Sequence, residues 1–138
     1  MDSVSRTLMV LDDDRVLAAI ISRVAEASGF HVRCFSDPLD FLAAVRSESP
    51  SHLAVDLVLP GMDGIEVLRR LADTRCASGI ILTSGMGERV LESARQTARE
   101  RGLDILGVLP KPFKPPRSFN CFFHSLTLDS VVAFEYCG

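Results

Sequence analysis

Residues 55–64 read VDLVLPGMDG. An apolar run beginning at Leu53 ends abruptly in a carboxylate, Asp56, and a loop rich in turn residues follows, with Pro60-Gly61 and then Asp63-Gly64. A short apolar run bounded by turn signals reads as a buried strand. Asp63 is placed to cap a helix running to about Ala72, with Ile65, Leu68 and Leu71 inward. A strand this uniformly apolar fits a parallel sheet covered on both faces, where no side is left for polar residues.

The same alternation extends in both directions. Leu8–Leu11 is a first apolar strand, followed by Asp12, Asp13 and Asp14. From Arg15 to Ser28, Val16, Leu17, Ile20, Ile21, Val24 and Ala25 recur at helical spacing, and Gly29 stops the helix. His31–Phe35 reads as a second strand. Asp37-Pro38 then matches a helix N-cap with proline in the first turn, and Leu39, Leu42, Ala43 and Val45 are expected on the buried side. Beyond the central strand, Gly79–Leu82 is a fourth strand, Gly87 to about Arg101 a charged helix, and Ile105–Leu109 a fifth strand. Five strand–helix units predict a doubly wound α/β sandwich with a parallel sheet.

Composition sets limits on function. The chain has 138 residues, enough for one core, with 47% hydrophobic residues, 24% charged and a formal net charge of -3. No basic field or Lys/Arg stripe is present to draw in nucleic acid, so direct DNA binding is disfavoured. No apolar run approaches the roughly 18–20 residues of a membrane span, and the N-terminus lacks a signal peptide's apolar core, so a cytoplasmic location is expected. Cys34, Cys76, Cys121 and Cys137 form no closely spaced pair, which argues against structural zinc.

In an open α/β sheet, ligands bind at the carboxyl ends of the strands. Asp12 and Asp13 follow the first strand, Asp56 ends the third, Thr83 and Ser84 end the fourth, and Lys111 follows the fifth. Carboxylates gathered in one place repel one another, and a divalent cation relieves this. Mg²⁺ prefers hard oxygen donors and is held by one or two carboxylates. A carboxylate can also attack phosphorus to give an aspartyl phosphate, a reaction that rests on positioning and charge neutralisation.

MVLDDD, VDLVLPGMDG, ILTSG and LPKPF together resemble the receiver domains of two-component response regulators, over roughly residues 6–118. The most specific piece is D-x-x-x-P-G-M-D-G from Asp56. The resemblance implies a flavodoxin-like sheet of strand order 2-1-3-4-5. It implies Asp56 as phosphoacceptor, with Mg²⁺ held by Asp13, by Asp56 and by the backbone carbonyl of Val58, and by Asp12 mainly through water. It also implies that Thr83 switches towards the phosphoryl group and that Lys111 pairs with a phosphoryl oxygen. The implied partners are a histidine kinase or phosphotransfer protein upstream and an effector protein downstream. No enzymatic activity is expected beyond the domain's own phosphorylation and dephosphorylation.

Two departures stand out. Val108 occupies the position, three before the lysine, where the family often has an aromatic switch residue. Residues 119–138 form an atypical segment after a receiver of residues 1–118: Lys and Arg vanish after Arg117, while five of the eight Phe lie from Phe113 onward. Phe119, Phe122, Phe123 and Leu126 have helical spacing, and the segment is a candidate to pack on the receiver or form a homodimer contact. Two alternatives remain open. One is a degenerate receiver acting as a protein-binding module. The other is a haloacid-dehalogenase-type phosphatase, since Asp12-Asp13-Asp14-Arg15-Val16 also reads as D-x-D-x-V.

Overall fold

The computed structural model describes residues 6–59, 61–85 and 88–110. Strands and helices alternate as β1 (Thr7–Leu11), α1 (Arg15–Ala27), β2 (His31–Phe35), α2 (Pro38–Glu48), β3 (His52–Asp56), α3 (Gly64–Asp73), β4 (Gly79–Ser84), α4 (Glu88–Glu100) and β5 (Asp104–Pro110). All paired strands are parallel, and their order is β2-β1-β3-β4-β5, as the resemblance implies. The order reverses between β1 and β3, so the topological switch point lies between their carboxyl ends.

Three helices begin on an aspartate, and in each the carboxylate takes up backbone N–H groups that the helix itself leaves without an acceptor. Asp14 accepts from Val16 and Leu17, Asp37 from Asp40, and Asp63 from Glu66. Ser28 closes α1, and Gly29 follows it at φ 94°, a left-handed conformation that glycine adopts without a Cβ penalty.

Successive side chains of a strand point to opposite faces, and the core divides accordingly. Leu8, Val10, Ala54, Ile81 and Leu109 pack with Ala18, Ile21 and Ala25 of α1. Met9, Leu11, Leu53, Val55, Ile80 and Leu82 pack with α2, α3 and α4 on the other face. Asp56 shares the parity of Ala54, and Thr83 that of Ile81, so both belong to the α1 side.

Helix α2 differs from the sequence expectation. Val45 is buried as expected, but it is buried with Pro38, Phe41 and Ala44, whereas Leu39 is 57% exposed, Ala43 is exposed and Leu42 is half-buried. The aromatic ring of Phe41 sets the docking: it is fully buried and meets Phe35 edge-on at 5.9 Å between ring centroids. In α3, Val67 is buried with Leu68 and Leu71, and Ile65 is only half-buried. β2 is also more exposed than a doubly covered strand would be, because it is the edge of the sheet. The expected helix at 119–126 and the strand-like run at 131–136 lie outside the described residues, as does the division at 118/119.

Candidate functional site

The site begins where β1 and β3 end. β3 runs through buried Leu53, Ala54 and Val55 into Asp56, which is only 2% exposed. Asp56 Oδ1 accepts a hydrogen bond from the Val58 N–H at 3.1 Å. The Leu57 N–H donates to the Thr83 carbonyl oxygen at 3.0 Å, and its own carbonyl accepts from the Gly64 N–H at 3.0 Å. The backbone just past the carboxylate is therefore tied to β4 on one side and to the first residue of α3 on the other.

After β1, Asp12 is also 2% exposed. Its N–H donates to the Phe35 carbonyl at 3.1 Å, and its Oδ1 accepts from the Asp14 N–H at 2.9 Å. Asp13 is exposed beside it. The three residues Asp12, Asp13 and Asp56 each bring a carboxylate oxygen within 4.8 Å of the other two. Hard oxygens from two buried residues and one exposed one form a donor set suited to a small divalent cation. Asp14, the third acid of the run, caps α1 instead. The helical pattern starting at Arg15 was the signal for that role.

Thr83 lies directly opposite Asp56 in the β3–β4 register and is buried to the same degree. Val58 is 50% exposed, two residues past Asp56. Lys111 lies outside the described residues. Val108, at the aromatic switch position, is a half-buried residue packed against the α2/α3/α4 core. Gly64 was not singled out by its chemistry in the sequence. A Cβ built on it would overlap Leu57 Cα and lie 2.8 Å from the Asp56 carbonyl oxygen. The Asp-Gly pair at 63–64 was the available signal, although it reads equally as an ordinary turn.

The family model of the response regulator receiver domain matches residues 8–120. The chain belongs to this family. The receiver is 34% identical over 123 residues to the DNA-binding response regulator MtrA of Mycobacterium tuberculosis, a match covering 83% of this chain and 48% of that protein. It thus spans about half the length of the curated relatives it matches. A response regulator crystal structure from Colwellia psychrerythraea superposes with a TM-score of 0.80 at 30% identity, covering 92% of this chain and 100% of that one. A Burkholderia pseudomallei response regulator, crystallised with a phosphorylated aspartic acid, a calcium ion and citrate, shares the fold. Its TM-score is 0.70 at 22% identity, over 96% of this chain and 71% of that one. These matches make the chain a two-component receiver domain, and they favour neither the phosphatase nor the degenerate binding module. Among the described residues of the receiver, no helix is long and apolar enough to cross a membrane.

Proposed function

We propose that this receiver is a phosphoacceptor switch in a two-component phosphorelay, phosphorylated on Asp56. The observation that carries the reading is the meeting of Asp12, Asp13 and Asp56 at the carboxyl ends of β1 and β3. An Asp56 carboxylate oxygen attacks the phosphorus of a phosphohistidine on a histidine kinase or phosphotransfer protein. A P–O bond forms, the P–N bond breaks, and the electron pair leaves with the imidazole, which takes up a proton.

The donor chemistry of the site fits Mg²⁺, with Asp12, Asp13, Asp56 and the Val58 carbonyl as the residues that would hold it. When bound, the ion supplies positive charge that offsets the carboxylates and the phosphoryl oxygens. Lys111 would pair with a phosphoryl oxygen, and the buried Thr83 hydroxyl would donate to another. The Val58 N–H fixes one carboxylate oxygen of Asp56, which orients the other towards the incoming group.

Phosphorylation adds charge and acceptor oxygens beside Thr83, and so biases an equilibrium between two arrangements of the β4–α4 region rather than building a new fold. An effector protein reads that change. The domain catalyses its own phosphorylation and hydrolysis, and the setting is cytoplasmic. The test is phosphotransfer from purified histidine kinases of the source organism, followed by intact mass, with Asp56→Asn alongside. Wild type should gain one phosphoryl group and Asp56→Asn none. Equal labelling of the two would sink the assignment.

A further inference from the structure

The peptide group joining Leu57 to Val58 makes two hydrogen bonds that point in opposite directions. Its N–H, on Val58, donates to Asp56 Oδ1 at 3.1 Å, and its C=O, on Leu57, accepts from the Gly64 N–H at 3.0 Å. A peptide group is planar and rigid, so whatever fixes its oxygen also fixes its hydrogen. Gly64 is the first residue of α3, and its N–H is one of those a helix leaves without an internal acceptor. The approach that lets this N–H reach Leu57 is open only to glycine. A Cβ on residue 64 would overlap Leu57 Cα and come within 2.8 Å of the Asp56 carbonyl oxygen and 2.9 Å of Leu57 Cδ2. Two of these three atoms are backbone and cannot rotate away.

We propose that Gly64 is a positioning residue for the Asp56 carboxylate, acting through the rigid Leu57–Val58 peptide. The start of α3 holds that peptide, and the peptide holds Asp56 Oδ1, which orients the other carboxylate oxygen. Asp63 secures the arrangement from the helix side by accepting the Glu66 N–H at 2.9 Å, which keeps the first turn of α3 wound. The inference rests on the reading of Asp56 as phosphoacceptor for its consequence, but not for its geometry.

The experiment compares full-length wild type with Gly64→Ala and Gly79→Ala. At Gly79 an added carbon meets the end of the Leu106 side chain at 2.5 Å, away from the site, so that variant is a control for general loss of packing. In folded Gly64→Ala the Val58 amide proton should move upfield as its hydrogen bond weakens. Phosphorylation by acetyl phosphate with Mg²⁺ should slow roughly tenfold or more, as misplacement of a reacting group does. Gly79→Ala should melt lower yet keep the wild-type rate and the Val58 shift.

A Gly64→Ala protein that melts lower while keeping both the Val58 shift and the wild-type rate overturns the proposal. If Gly64→Ala does not fold, the pair Asp63→Ala and Asp63→Asn decides. Asparagine keeps a capping oxygen and should keep the rate, while alanine should slow it; equal rates overturn the proposal. If wild type accepts no phosphoryl group at all, the functional reading fails instead, and the Val58 shift alone then decides the clamp.

Discussion

Asp56 and Thr83 are direct partners in the β3–β4 register, each 2% exposed, at the carboxyl end of the sheet. A buried hydroxyl beside a buried carboxylate is placed to donate to an oxygen added there. Thr83→Ala should still accept a phosphoryl group, but roughly ten- to a hundredfold more slowly, the scale of one lost hydrogen bond to a charged group. Thr83→Ser, which keeps the hydroxyl, should stay near wild type. In Thr83→Ala, beryllofluoride should also fail to shift the α4 amide resonances. Full α4 shifts in that variant would remove Thr83 from the switch.

The three consecutive acids should separate by role. Asp13→Asn should weaken Mg²⁺ binding by roughly tenfold or more, because it removes one of the three clustered carboxylates. The same change should raise the melting temperature of the metal-free protein, since it relieves repulsion among like charges. Asp14→Ala should cost about 1 kcal/mol through loss of the α1 cap and leave Mg²⁺ affinity near wild type. Isothermal titration with Mg²⁺ and urea unfolding report the two quantities separately. Loss of Mg²⁺ affinity in Asp14→Ala would contradict the division.

Helix α2 gives a paired test of its observed face. Phe41 is fully buried, so Phe41→Ala should destabilise by about 3–5 kcal/mol. Leu39, 57% exposed, should tolerate alanine within about 0.5 kcal/mol. Urea midpoints decide. A larger cost at Leu39 than at Phe41 would restore the face expected from sequence.

Cys34 carries a pH prediction. Cys34 is exposed on the edge strand, but partial desolvation of its thiol raises the pKa above the ordinary value. The Ser22 hydrogen bond opposes this, and the charges of Glu26 and Asp12 add to the rise. The fold therefore favours the protonated thiol. That contribution is complete below the thiol's unfolded-state pKa and is lost as pH rises through the higher folded-state pKa. Iodoacetamide labelling of Cys34, followed by mass mapping, should be slow at neutral pH and rise with a midpoint above that of a free thiol. A midpoint at or below the free-thiol value would contradict the raised pKa.

Much of this was legible along the chain because local rules govern it. Apolar runs of strand length, aspartates at helix starts and a glycine just after α1 are read from neighbours a few residues apart. The described elements therefore fall within a residue or two of their expected ends. Helix α2 resisted because its sequence offers two apolar stripes. Leu39, Leu42 and Ala43 compete with Pro38, Phe41 and Ala44, and only the sheet chooses between them. β2 resisted for a related reason: its exposure comes from its place at the edge, which is a property of strand order.

By itself the sequence determined the succession of strands and helices, and it determined that Asp12, Asp13, Asp56 and Thr83 stand at or just past strand ends. A carboxylate after an apolar run has nowhere else to go. The tertiary structure decided which of these groups meet. It gathered Asp12, Asp13 and Asp56, assigned Asp14 to a helix cap, set Thr83 opposite Asp56, and brought Gly64 against the Asp56–Leu57 backbone. Those relations depend on strand order, register and the close approach of α3. They arise from packing between segments distant in the chain, where local spacing carries no information.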